Sequence, residues 1–412
     1  MCSAGQRVKE VTVRVLSQRA SFWVAAAVVV IALWTSGAPS VTYPLYAAEW
    51  NLSASVTTAI FAVYPLVLVV VLLVFGNISD YIGRRAAILL GLTASLLGVV
   101  LFAIAPNVGW VFVGRAFMGI GVGLSLSPAS AAMVEFSAAS KKAQASSITT
   151  ASTAVGLILA TLVGGALIEY APFPTHLNFW VLAAVVAAVL ITAWFLPRHT
   201  SAEARGKWRP RPLSIPAGLR GTFAKSALAL TGAYGLGAIV LSLGADIGQE
   251  LIGSDNSLVN GAVIAINAAA IAITAIAARA LRGTTDIVIG GAAATVGMGI
   301  MVLSSVQHSL PLFIVAAIVT GVGYSLLFLG GLSVINADAP AHHRAGTLSG
   351  VYLIAYLFQG LIALSLGVAA TASGLGIALD IGAGIVAVLG LGSIVLAMAL
   401  PRRSDGCSAQ TA

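Results

Sequence analysis

The chain has 412 residues, 59% of them hydrophobic and 8% charged, with a formal net charge of +8. So little charge cannot cover a water-soluble domain, and a mean hydropathy of +1.02 makes lipid the solvent for most of the surface. The positive balance therefore does not point to nucleic acid; it is distributed between apolar runs, where it sets topology.

All but one of the 21 Lys and Arg residues fall in alternate gaps between those runs. Arg7 to Arg19 precede the first run, Arg84 and Arg85 follow the second, and Lys141 and Lys142 follow the fourth. Arg198 to Lys225 follow the sixth, Arg279 and Arg282 the eighth, Arg344 the tenth, and Arg402 and Arg403 the last. Cytoplasmic loops keep positive charge, so the alternation predicts a multi-pass protein of the cytoplasmic membrane with both termini inside. No small-residue cleavage pattern precedes Trp23, so no signal peptide is expected.

A hydrocarbon core of roughly 30 Å takes about 20 helical residues. Twelve spans are predicted near 22–47, 56–79, 85–105, 109–134, 143–170, 177–197, 225–249, 257–280, 285–305, 311–335, 344–371 and 376–400. The runs lack the period-2 alternation of a barrel, and backbone in lipid otherwise needs helices. The expected fold is an all-α integral membrane protein of two six-helix bundles. Residues 22–197 and 225–400 form the bundles, 198–224 a cytoplasmic linker rich in Pro, Arg and Gly, and 1–21 and 401–412 the tails. Trp50, Trp110 and Trp180 are expected at the outer interface, Trp23 and Trp194 at the inner one. Cys2 and Cys407 fall in the tails, where neither a disulfide nor a metal cluster is expected.

The halves repeat at an offset of about 202 residues: Gly119-Ile120-Gly121 corresponds to Gly321-Val322-Gly323, and Gly165 to Gly367. Such a repeat predicts duplicated bundles around a central path with a midplane site.

Between spans two and three runs Gly76-Asn77-Ile78-Ser79-Asp80-Tyr81-Ile82-Gly83-Arg84-Arg85. It reads as a tight turn, with Asp80 free to pair with Arg and two cations at the membrane edge. The motif resembles the signature loop of the major facilitator superfamily, and the resemblance covers the whole chain. It implies that Gly76, Asp80, Gly83, Arg84 and Arg85 form a cytoplasmic latch between the halves, with Asp80 against the start of span eleven near Ala345. Tyr81 stands where the family usually has a basic residue. The stretch Tyr64-Pro65 through Arg85, with Pro39, Leu45-Tyr46 and Trp50, resembles a bacterial exporter branch of drug/proton antiporter type.

Arg115 is the cation inside a run, about 7–8 Å past Trp110. With Gly119, Gly121 and Gly123 it resembles the family's second motif, whose arginine is linked to proton coupling. Snorkelling to the outer headgroups is the other reading. In span five, Gly156, Gly164 and Gly165 have the spacing of the exporter motif, although Ala160-Thr161 replaces its Gly-Pro step.

No carboxylate falls at the midplane. The coupling candidates are Arg115, Asp246 and Glu135; Asp246, in the outer third of span seven, is the expected partner of Arg115. Glu135 ends span four about 30 Å from Arg115, too far to pair with it. Unlike exporters of cationic drugs, the chain has no acid between Trp34 and Tyr46. The family arrangement puts spans one, four, seven and ten around the cavity, so Ser40, Tyr43, Tyr46, Tyr234, Ser242, Tyr324 and Asn336 are its candidate lining. Hydroxyls and rings with few charges suit a small amphipathic organic solute.

The expected function is secondary active transport by alternating access, as proton-coupled efflux of drugs or metabolites. Import or facilitated entry of a small metabolite is the alternative. No enzyme is expected, since there is no buried nucleophile–base set, and Gly206-Lys207 runs into Trp208 instead of a phosphate-binding loop. The expected partners are the solute, a proton and membrane lipids, with no cofactor and no nucleic acid, for a chain that acts as a monomer.

Overall fold

The computed structural model describes residues 16–137, 142–197, 217–278, 283–338 and 341–399. Most of the expected linker and both tails lie outside them. Among the described residues, eleven helices are long and apolar enough to cross a membrane, and the shorter apolar helix Leu177–Ala193 is the twelfth. No strand occurs among the described residues.

Span two is Ala54–Phe75, three Arg84–Ala103, four Val108–Glu135, five Lys142–Tyr170 and six Leu177–Ala193. Span eight is Ser257–Ala277, nine Gly283–Val306, ten Leu310–Asp338, eleven Ala341–Ser373 and twelve Leu375–Ala399. Spans one, four and eight begin at side-chain caps. Ser17, Asn107 and Asn256 accept from the N–H groups of Ala20, Gly109 and Val259, satisfying donors that a helix start leaves open.

Spans one and seven are broken; Pro39 and Pro44 mark the first break in the sequence, and the apolar run of span seven does not show the second. Span one runs Gln18–Gly37, tightens into the 3-10 turn Ala38–Val41 and resumes as Tyr43–Trp50. Pro39 and Pro44 have no N–H to carry the ladder through. Span seven begins at Arg220, ahead of the expected 225, ends at Ser242, and continues as Gly244–Asp246 and a π turn, Ile247–Leu251. The repeat offset of about 202 carries Val41 onto Leu243, so the two breaks are equivalent.

The repeated Gly-x-Gly pairs do equivalent packing work. A Cβ on Gly119 would sit 2.8 Å from the Tyr64 carbonyl of span two, and one on Gly121 2.7 Å from the Gly91 carbonyl of span three. In the second half, Gly321 meets the Asn267 carbonyl of span eight at 2.7 Å, and Gly323 the Ala294 nitrogen of span nine at 2.6 Å. Each pair lets its span wedge between two neighbours at backbone distance.

Loops alternate between two ends. At the basic end, the start of span three meets the end of span four through Arg84 and Glu135, and spans seven and ten meet where Thr222 donates to Asp338. Trp23 and Trp194 are exposed at this end, Trp110 and Trp180 at the far end. The two sets of six spans meet chiefly along two seams, span two with eleven and span five with eight.

Candidate functional site

Both seams close at the far end by backbone contact. On the five–eight seam, a Cβ on Gly165 would lie 2.7 Å from the Ser257 carbonyl, and one on Gly261 would overlap the Thr161 carbonyl. Glu169 of span five accepts from the Ser257 N–H at 2.8 Å, placing a carboxylate at the positive end of span eight. On the two–eleven seam, Ser55 and Thr371 hydroxyls are 2.7 Å apart, and a Cβ on Gly367 would overlap Thr58. Gly164 packs on Val41 and Asn178, and Gly156 on span one. Between the seams, the broken segment of span seven packs on both pieces of the span-one break. The two discontinuities thus plug the far end of the central path together.

Arg115 lies just beneath this plug. It is 0% exposed, so its guanidinium does not snorkel. Nη1 donates to the Ser36 carbonyl at 2.9 Å, at the end of the first helical piece of span one, where the macrodipole is negative. The group also lies over two rings, with Cζ 4.9 Å from the Tyr64 centroid and 5.8 Å from that of Phe61. Nε and Nη2 have no hydrogen-bond partner. The expected ion pair with Asp246 is absent, since no carboxylate lies within 4 Å of Arg115 among the described residues. The buried Tyr43 hydroxyl lies within electrostatic reach of both and within hydrogen-bonding reach of the guanidinium, although no well-aligned bond joins them. A helix end and two ring faces thus take the place of a counter-ion.

Tyr64 also lies within electrostatic reach of Tyr324 and Tyr356 across the interface between the halves. There five rings converge from spans seven, ten and eleven: Tyr234, Tyr324, Phe328, Tyr352 and Tyr356. Tyr234 meets Tyr356 edge-on at 4.6 Å and 75°, and Tyr324 stacks with Phe328 at 6.2 Å and 19°. Tyr352 lies 6.4 Å from Tyr356 and 6.5 Å from Phe328. Gly237 leaves room for the Tyr324 ring and the Gln359 amide side by side. The Gln359 Oε1 is buried without a partner. Tyr234 and Tyr324 were expected here. Phe328, Tyr352 and Tyr356 were not, because an aromatic in an apolar span carries no mark of whether it faces protein or lipid.

Other candidates fall elsewhere. Tyr46 stacks on Trp50 at 4.7 Å and donates to the Thr175 carbonyl at 3.3 Å; it packs inside the first half and lines no central path. Asn336 is exposed at the basic end. Ser40 and Ser242 are buried beside the two breaks, their hydroxyls unpartnered. A hollow of about 570 Å³ between spans two, three and four is lined only by apolar residues, among them Val70 and Leu90, both more than half exposed. That lining suits an acyl chain and contains none of the polar candidates.

At the basic end, Arg84 gathers the loop. Nη1 donates to Asp80 at 3.2 Å and to Ser79 at 2.7 Å, and Nε to Glu135 at 3.3 Å. Gly83 has φ 85° and ψ 152°, a conformation only glycine adopts without strain. Glu135 is thus tied to the loop, far from Arg115. The expected contact of Asp80 near Ala345 lies outside the described side chains. Arg84→Ala removes the ion-pair partner of Glu135 and is expected to lower stability by about 1–3 kcal/mol, read as an earlier melt of the purified protein in detergent. An unchanged melt would mean the network contributes nothing to the fold.

A family model described as Major Facilitator Superfamily matches residues 23–364. The chain is 33% identical over 129 residues to the multidrug efflux pump LfrA of Mycolicibacterium smegmatis, covering 31% of this chain and 25% of that protein. It is 23% identical over 159 residues to the riboflavin transporter RibZ of Clostridioides difficile, covering 39% of this chain and 35% of that one. These alignments span about a third or less of the relatives' own lengths. The solved structure of a POT family transporter in complex with 5-aminolevulinic acid superposes with a TM-score of 0.75 at 15% identity, covering 93% of this chain and 96% of that one.

Proposed function

Because the chain belongs to the Major Facilitator Superfamily, whose model matches most of its length, we propose that it carries a small amphipathic organic solute outward, driven by the proton gradient. That it is a membrane transporter of small solutes follows from the family; direction, coupling and solute class are our reading. The observation that carries it is the pairing of a far-end plug, made by the two equivalent helix breaks, with rings and one buried cation directly beneath. A path closed at one end by two rigid halves is one state of alternating access. By the positive-inside rule the basic end is cytoplasmic and the plugged end faces out. Similarity to a multidrug efflux pump supports export. Similarity to a riboflavin transporter keeps carriage of a small metabolite as the second reading.

Asp246 is the carboxylate best placed for coupling. It is part-buried on the broken segment of span seven, which packs on the span-one break and span eight. The titratable and charged groups around it are Glu250, Tyr43 and, beyond Tyr43, Arg115. Flux into proteoliposomes under an imposed pH gradient, in both orientations and against a mixed panel of drugs and metabolites, tests the carrier. Gradient-driven movement of at least one solute is expected, and none under either gradient sinks the reading. Asp246→Asn is expected to flatten the pH dependence of that flux; an unaltered profile removes Asp246 from the coupling scheme.

A further inference from the structure

We propose that the five-ring cluster on spans seven, ten and eleven, together with the Gln359 carboxamide, recognises a flat neutral heterocycle whose edge carries an N–H beside a C=O. The proposal rests on the carrier reading above and names the class of its cargo.

The rings set the shape. Tyr234, Tyr324, Phe328, Tyr352 and Tyr356 form a continuous wall whose neighbouring centroids are 4.6 to 6.5 Å apart. Tyr234 is buried and the other four rings are part-exposed, so the array is not closed on itself. A flat conjugated ring can add to it by offset stacking or edge-on contact. Tyr324 and Gln359 lie near the middle of spans ten and eleven. The wall is therefore at mid-bilayer depth, where carriers built from duplicated bundles hold their solute.

Gln359 adds a polar edge to the wall. A Cβ on Gly237 of span seven would lie 3.3 Å from the Tyr324 Cε2 and 3.5 Å from the Gln359 Nε2, so ring and carboxamide share one niche. Gln359 is 8% exposed, and its Oε1 is buried without a partner, a costly state for an acceptor. That oxygen calls for a donor, and the same carboxamide offers N–H groups beside it. The complement is a lactam edge, whose N–H and C=O meet both in one plane. A polyol could satisfy the Oε1 but would bury its remaining hydroxyls against ring faces.

Neither sign of charge has a counter-ion on these spans. Spans seven and eleven contain no Asp or Glu, and the one acid of span ten is its last residue, Asp338, roughly 21 Å along the helix from Tyr324. Their cations, Arg220, Lys225 and Arg344, all fall in the first two turns at the basic end. Arg115 belongs to the other half, bonded to the Ser36 carbonyl and set over the Tyr64 and Phe61 rings. A net charge brought to the wall would be buried unpaired; a neutral lactam carries no such penalty.

The test is a matched ligand series titrated calorimetrically into the purified full chain, followed by flux in proteoliposomes. The probes are 2-quinolone, N-methyl-2-quinolone, which lacks the donor, δ-valerolactam, which lacks the aromatic ring, and 2-naphthylmethylammonium. The quinolone is expected to bind about tenfold tighter than its N-methyl analogue and than the ammonium; valerolactam should not compete. Gln359→Leu should bring the quinolone down to the affinity of the N-methyl analogue and leave the analogue unchanged. Tyr356→Leu should weaken both about tenfold, with Tyr356→Phe close to the parent. Should the variants fail to fold, the order of the four probes on the parent chain decides. Equal binding of the N-methyl analogue, competition by valerolactam, equal or tighter binding of the ammonium, or no binding of the quinolone each overturns the proposal. If the quinolone binds in this order and neither it nor any solute of the mixed panel moves under a gradient, the carrier reading fails and the site stands. Flux of panel solutes without quinolone binding does the reverse.

Discussion

Gly261→Val is expected to hold the far end open. A Cβ at this position overlaps the Thr161 carbonyl of the opposite half, and both atoms belong to rigid helix backbone. The clash can relax only by separating spans five and eight, while packing inside each half is untouched. Overpacking of this kind costs about 1–3 kcal/mol, and about 1.4 kcal/mol already changes a two-state population tenfold. The readout is a cysteine at Ser40, now 2% exposed within the span-one turn of the plug, in a chain whose two cysteines, Cys2 and Cys407, are changed to serine. An impermeant thiol reagent added outside should label it about tenfold faster in the Gly261→Val background, and solute flux should collapse. Gly165→Val should do the same from the other face of the seam, 2.7 Å from the Ser257 carbonyl. Gly376→Ala, where a Cβ meets nothing within 4 Å, is the control. Parental labelling together with parental flux in Gly261→Val would mean this contact is not the outer gate.

Arg115→Leu should separate stability from transport. The substitution removes a hydrogen bond to the Ser36 carbonyl, at a cost of about 1 kcal/mol. It also removes a buried cation that no carboxylate neutralises, and replacing such a charge by an apolar group is often neutral or stabilising by about 1–4 kcal/mol. The melt should therefore stay near the parent or rise slightly. Flux should fall at least about a hundredfold, equivalent to about 2.7 kcal/mol of lost stabilisation, because the one charge at the centre of the path is gone. Arg115→Lys should recover little, since an ammonium cannot reproduce the planar contact over Tyr64 and Phe61. Full flux in Arg115→Leu would make this arginine a packing residue. A folded protein without flux is the outcome that assigns it to the carrier cycle.

Some site features were legible along the chain and others were not, for reasons that differ from residue to residue. The span-one break could be read from Pro39 and Pro44, which lack an N–H wherever they occur. The matching break at Leu243 has no proline to mark it; just past it, a Cβ on Gly248 would lie 2.5 Å from the Asn260 side chain. Tyr352 and Tyr356 sit in a span apolar on every side, so helical periodicity could not show which face meets the other half. Tyr46 carries the same residue type as Tyr43 three positions earlier, yet the turn of the helix carries it onto Phe102 and the Thr175 loop. Glu135 was placed at the correct end of span four, but its partnership with Arg84 joins residues 51 apart in sequence.

What the amino-acid order determined alone was the number of spans, their alternation between a basic and a far end, and the duplication of the fold. Lipid offers the backbone no hydrogen bonds, so each apolar run must be a helix, and loop charge then orients it. The duplication was legible because glycines that permit backbone contact recur at equivalent positions. Only the tertiary structure decided which helix faces turn inward, where the two breaks meet, and what surrounds Arg115. Those depend on atoms brought together from distant parts of the chain, and in a membrane the same apolar side chain is equally at home against lipid or against protein.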